Sequence, residues 1–165
     1  MIKKLKLLCF LLFFSSPIWA LETDNDQPID ISADSLNIDE AKHISIYKGN
    51  VILQQGSLNI NADTLVLYFN EQNELDYMEA SGSPVHFKQK NEDQKWMTGL
   101  AKSMIYYDQQ SELTLKKDAE FNTGNEHIKS HYIQVNTNNN SLQAGASSAS
   151  DRVIIKIMPK NKAKK

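Results

Sequence analysis

Apolar and polar residues alternate along most of this chain with a period of two, and the alternation slips at intervals. In residues 56–69, GSLNINADTLVLYF, the apolar Leu58, Ile60 and Ala62 alternate with Ser57, Asn59 and Asn61. That is the pattern of a half-buried β-strand. Beyond Ala62 the apolar positions are Leu65, Leu67 and Phe69, so the buried parity passes from even to odd across Asp63-Thr64. A one-residue shift turns every later side chain to the other face unless the chain bends or bulges. The slip therefore predicts a corner, through which the strand turns while keeping its apolar side inward.

Weaker copies of this stretch recur. Ile29, Ile31 and Ala33 share one parity, and Leu36 and Ile38 the other. Met97, Gly99 and Ala101 precede Met104 and Tyr106, and Ile128 and Ser130 precede Ile133 and Val135. Aligning the slips places Ala33, Ala62, Ala101 and Ser130 in register, at spacings of 29, 39 and 29 residues. Each unit returns through a second alternating run. The first two of these bend at Gly49-Asn50 and at residues 81–84, and the last strand carries Val153, Ile155 and Ile157. Regular turn clusters without helical periodicity predict an all-β protein built by internal duplication. Hairpins that share one apolar face must cover one another, which gives two facing sheets, an open-ended jelly roll of stacked antiparallel hairpins. The terminal strands, at 29–33 and 153–157, then offer unpaired backbone groups to another chain. Ile29 and Ile31 at one end, and Val153, Ile155 and Ile157 at the other, are the expected interface residues.

The first twenty residues follow another pattern. A basic segment at 1–6, an apolar run at 7–14 and a breaker and cleavage region at 15–20 have the form of a secretory signal peptide. The run is far shorter than the roughly 20 residues of a spanning helix. Cys9 lies inside that run, not at its end, which argues against lipid attachment there. It is the one cysteine, so the chain from Leu21 onward has neither disulfide framework nor thiolate metal site. Residues 21–27 are polar and expected to be flexible, 28–157 form the domain, and 158–165 read as a basic, frayed tail. Removing Lys3, Lys4 and Lys6 with the leader takes the basic count from 18 to 15, against 20 acidic residues. That balance disfavours a nucleic-acid binder. His43, His86, His127 and His131 are scattered, and His127 and His131 lie about 13 Å apart along a strand, too far to share an ion. No nucleophile elbow, phosphate loop or His-Glu zinc motif is present. Neither catalytic residues, metal nor cofactor is expected.

Three segments in order carry a family resemblance: Gln27-Pro28-Ile29-Asp30-Ile31, Gly49-Asn50-Val51-Ile52-Leu53-Gln54-Gln55-Gly56, and Ile60-Asn61-Ala62-Asp63. Together, over residues 27–157, the chain resembles the OstA-like, or LptA, family of periplasmic lipopolysaccharide transport proteins. The resemblance implies a slightly twisted β-jellyroll of about sixteen short antiparallel strands, located in the periplasm. It implies copies stacked head to tail, forming a trough for lipopolysaccharide acyl chains. That trough would run from an inner-membrane anchored, LptC-like partner to an outer-membrane assembly, LptD-like partner. Ile29 and Ile31 match the N-terminal strand positions that face the groove, while Asp30 stands where relatives can have histidine. The inward residues Leu53, Leu58, Ile60, Leu65, Leu67, Phe87, Met104, Tyr106, Leu115 and Phe121 would line it. Such a trough needs no catalytic group, because each buried CH₂ contributes about 0.8 kcal/mol.

Two other readings stay open. An uncleaved leader, which the bulky Ile18 would favour, would make the chain the membrane-anchored component of the same system; a mature N-terminus at Leu21 excludes that. An unrelated secreted jelly roll, a carbohydrate-binding module or small hydrolase, should expose aromatics on one face. Trp96 is the one tryptophan outside the leader that could serve it.

Overall fold

The structure is a computed structural model that describes residues 24–146 and 152–159; the leader and the end of the basic tail lie outside them. Ten strands make one antiparallel sheet: β1 (Asp30–Ser32), β2 (Ser35–Asp39), β3 (Ile44–Gln55), β4 (Leu58–Phe69), β5 (Leu75–Lys90), β6 (Trp96–Tyr107), β7 (Glu112–Asn122), β8 (Glu126–Asn136), β9 (Leu142–Gly145) and β10 (Ile154–Ile157). From β3 to β8 each strand pairs with the next. At one end β1 and β2 both pair with β3, and at the other β9 and β10 both pair with β8.

The reason two short strands share one long one is a line of corners. The register shifts between Lys48 and Val51, Asn61 and Thr64, Ser81 and Val85, Leu100 and Ser103, and Lys116 and Ala119. These breaks lie side by side across the sheet, so it folds over on itself into two arms. β8 divides in the same place, with β10 on residues 126–129 and β9 on residues 132–135. The first arm holds β2, the start of β3, the end of β4, the start of β5, the end of β6, the start of β7, the end of β8, and β9. The second arm holds β1, β10 and the other halves.

The small residues that the parity slips aligned sit at this line. Ala62, Ala101 and Ser130 are buried there, and Ala33 packs against the core. The resemblance implied sixteen strands, and the count among the described residues is ten. The six long strands pass through their corners without a break; counted as arms they contribute two each, and the four short strands one each. A corner in β7, at Lys117 and Asp118, was not foreseen; both residues have positive φ, at 64° and 53°.

Between the arms lies the core. Leu53, Leu58, Ile60, Phe87, Met97 and Phe121 of the second arm meet Leu65, Leu67, Met78, Met104, Tyr106 and Leu115 of the first. Gly99 stands in register between Phe87 and Phe121 and faces the first arm. A Cβ there would lie 2.9 Å from a Leu115 methyl.

Neighbouring corners are tied together. The Asn50 side-chain amide donates to Asp34 Oδ2 at 2.9 Å, and the Asp34 N–H donates to the Gly49 carbonyl at 2.9 Å. Asp34 thus bonds to the adjacent corner and not to the N–H groups of its own turn. Gly49 has φ +78°, and a Cβ on it would come within 2.2 Å of Asp34 Oδ2. Gly49→Ala is therefore expected to lower stability by about 1–3 kcal/mol, seen as a lower urea midpoint at unchanged slope. An unchanged midpoint would show that the corner tolerates a side chain.

Candidate functional site

The interior between the arms is filled. Of the twelve residues expected to line a trough, Leu53, Leu58, Ile60, Leu65, Leu67, Phe87, Met104, Tyr106, Leu115 and Phe121 are all buried, none more than 4% exposed. Ile29 and Ile31 are partly buried and pack against this core from the β1 end, with Ile31 opposite Leu53. The twelve residues thus share one continuous apolar interior, which is closed in this structure. Period-two alternation reports which residues face inward, and it is the same for a filled interior and an open one.

The two long sides of this interior are closed differently. One side is the line of corners, where the chain itself is continuous. On the other side the hairpin turns of the two arms meet, and there the inward residues are polar. Gln55, Gln89, Ser111 and Thr137 are all buried at this mouth. Gln89 Nε2 donates across the mouth to the Tyr106 hydroxyl at 3.5 Å, and Tyr106 also bonds to Thr137. The Thr137 N–H donates to the Ser111 carbonyl at 2.8 Å. Asn91 Nδ2, in the turn between β5 and β6, donates to Asn140 Oδ1, in the turn between β8 and β9, at 3.0 Å. Burial pushes the Tyr106 hydroxyl and the nearby Asp108 carboxyl above their usual pKa ranges.

A chain segment closes one stretch of this seam. Residues Asp24–Asp26 form a 3₁₀ turn, and the Asp24 carboxylate accepts from the Ser57 N–H and hydroxyl, both at 2.6 Å, and from Gln89 Nε2 at 3.0 Å. Gln55 Nε2 donates to the Gln27 carbonyl at 3.2 Å. Within the segment 21–27, the residues from Asp24 onward are held on the rim by these bonds, and 21–23 lie outside the described residues. Sequence reasoning passed over the seam, although its signal is visible: Gln55 and Gln89 occupy inward-parity positions at strand ends where apolar residues are otherwise found.

Both ends of the interior are open. On β2, Leu36 and Ile38 pair with Tyr47 and Ser45 and share their inward side, yet are 53% and 59% exposed. On β10, Ile155 pairs with the buried Ile128 and is 54% exposed, and Ile157 is 64% exposed. Val153, just before β10, is also exposed. Among the expected interface residues, the three at the C-terminal end stand free, while Ile29 and Ile31 are half covered. Leu36 and Ile38 supply the apolar row at the N-terminal end that was not assigned. Beside them a hollow of about 550 Å³ is lined by Ile38, Ile44, Ser45 and Phe69, with Asp39 and His43 at its rim.

Chemistry of other kinds finds little here. No group of three or more metal-ligating side chains converges among the described residues. His127 contacts Glu120 at 3.0 Å, and Lys129 donates to the same carboxylate at 2.5 Å. The seam itself is testable. Asp24→Ala is expected to raise hydrogen exchange at the Ser57 amide by about tenfold or more, with global stability falling by about 1–3 kcal/mol. A Ser57 amide that stays protected would show that Asp24 does not hold the rim.

Residues 30–141 match the family described as "LptA/(LptD N-terminal domain) LPS transport protein". The chain is 26% identical to the lipopolysaccharide export system protein LptH of Pseudomonas aeruginosa over 156 residues, covering 90% of this chain and 89% of that protein. It is 30% identical to LptA of Haemophilus influenzae over 159 residues, covering 94% and 91%. To LptA of Escherichia coli K12 it is 34% identical over 121 residues, covering 72% and 61%. A crystal structure of the Pseudomonas aeruginosa LptH shares the fold with a TM-score of 0.76 at 23% identity, covering 84% of this chain and 100% of that one. With most of the domain matched and the folded-over sheet in common, the chain belongs to the LptA/LptD N-terminal domain family of lipopolysaccharide transport proteins.

Proposed function

We propose that this protein is a periplasmic lipopolysaccharide carrier, exported by a leader cleaved before Leu21. It receives acyl chains between its two arms and passes them along a head-to-tail array toward the outer membrane. The observation that carries this reading is the unequal closure of the interior, covalent along the corners and hydrogen-bonded along the mouth. Each seam bond, once broken, is largely replaced by water and costs about 1 kcal/mol net. An acyl chain of about twelve carbons gains on the order of 10 kcal/mol on leaving water. Opening the mouth over Phe87, Met104 and Tyr106 is thus offset by the ligand that enters. Met78, Met97 and Met104 add side chains that repack at little cost. The names of the relatives, as components of a lipopolysaccharide export system, support the same cargo. No step in this cycle uses a catalytic group.

Strand arithmetic supports the array. Each arm holds eight antiparallel strands, with β2 and β9 at the edges of the first and β1 and β10 at the edges of the second. Because eight is even, the β2 and β1 of a following copy run antiparallel to β9 and β10 and continue both arms. The exposed Ile155 and Ile157 then meet the Leu36 and Ile38 of the next copy. The same edges would receive an inner-membrane anchored, LptC-like partner and an outer-membrane, LptD-like partner. The family description, which joins LptA with an LptD domain, supports the second of these.

Two experiments test this. With Asn91 and Asn140 both replaced by cysteine and bridged by a short bismaleimide, lipopolysaccharide uptake is expected to be lost, while the unbridged double variant binds. Equal binding by both would sink the mouth as the route of access. Ile155→Asp is expected to abolish concentration-dependent assembly in sedimentation and to leave binding by single copies intact. Persistent assembly would place the contact elsewhere.

A further inference from the structure

The outward face of the second arm departs from the acidic character of the chain. The ladder places Asn59, Lys88, Thr98, Asn122, His127 and Lys156 in one row across six adjacent strands. Beyond Asn59 the row passes through Gln54 and ends at Asp30 on β1, its one carboxylate, four strands from Lys156's half of the row. In the adjacent row Glu120 is already engaged by His127 and Lys129.

At the mouth end of this face stands a more specific cluster. Lys88 Nζ lies 4.2 Å and Lys90 Nζ 5.2 Å from the ring centroid of Trp96, which is 45% exposed. Among the described residues neither ammonium has a carboxylate partner, although Lys95 in the same hairpin pairs with Asp93 at 3.3 Å. Two like charges are thus held over one indole, and an anion between them would relieve their repulsion with charge-assisted hydrogen bonds. Gln89, between the two lysines, points the other way and bonds to Asp24 and Tyr106 in the seam. The cations therefore flank the mouth from outside, at the strand position where the arms meet.

We infer that Lys88, Lys90 and Trp96 form a subsite for a phosphate group on the head of the lipid whose acyl chains enter at the adjoining seam. This rests on the proposed carrier function. The lysines neutralise the phosphate at the rim, and the exposed indole gives apolar contact where the polar head passes into the tails. The uncharged donors Thr98 and Asn122, and beyond them Lys156, continue the polar surface along the rim.

Trp96 is the natural reporter, since the other of the two tryptophans, Trp19, lies in the leader. The chain beginning at Leu21 is titrated with intact lipopolysaccharide, with lipopolysaccharide stripped of its phosphates, with inorganic phosphate, and with vesicles of anionic phospholipid. The variants are Lys88→Glu/Lys90→Glu and Lys88→Arg/Lys90→Arg. Charge reversal is expected to weaken binding of the intact lipid by about tenfold or more and to leave the stripped lipid unchanged. The arginine pair keeps wild-type binding, and Trp96 emission shifts with the intact lipid alone at micromolar concentration. Equal loss for both lipids, or loss for neither, overturns the subsite. A Trp96 response as strong with inorganic phosphate overturns the headgroup assignment in favour of a free-anion site, and one as strong with vesicles overturns it in favour of membrane contact. Wild-type protein that binds both lipids equally well defeats the subsite and leaves the carrier standing. Wild-type protein that binds neither defeats the carrier, and the subsite with it.

Discussion

Every rung of this protein must turn a corner without exposing its apolar side, and the rest of the structure depends on that constraint. A small inward residue, Ala62, Ala101 or Ser130, lets the backbones approach at the bend. Because the bends stack in one line, the sheet closes on itself along one side only. The core, the mouth opposite and the two open ends all follow from that line. The tie between Asp34 and Asn50 shows one corner leaning on the next.

The mouth is where local chemistry changes. Along the arms, burial of Leu, Met and Phe against one another resists separation, because apolar area returned to water is unfavourable. At the rim the same inward positions carry Gln55, Gln89 and Thr137, whose bonds water can replace. Their donors are bonded while the seam is shut, Gln55 to Gln27, Gln89 to Asp24 and Tyr106, and Thr137 to Ser111, although the Gln89 Oε1 is buried without a partner among the described residues. The outer tyrosines of the first arm are arranged differently: Tyr68 stacks on Tyr77 with centroids 4.3 Å apart, and Tyr77 lies against Tyr107 at 5.4 Å. Here the contacts are between aromatic rings and not between polar groups.

Much of the fold was legible because corners that add one residue leave a parity slip. Ala62 to Leu65, Ala101 to Met104 and Ser130 to Ile133 all show it. In β7 the buried apolar residues run Leu113, Leu115, Ala119, Phe121, all odd, because two extra residues restore the parity and conceal the bend. β3 conceals its corner in the same way, and there Gly49-Asn50 gave it away. The inward residues were legible for the same reason. Their state of packing was not, since alternation carries no information about the distance between the arms. The rim was missed because Asp24 lies far along the chain from its partners Ser57 and Gln89, in a polar segment with no period to read.

The even number of strands in each arm has a consequence for size. In the proposed array the N-terminal edge meets the C-terminal edge and not itself, so the contact would be heterologous. Stacked along one axis, such an array would have direction but no intrinsic length, and concentration alone would set how far it grows. A span matched to a fixed gap between two membranes would then have to be terminated from outside, by other chains that offer one matching edge and no second.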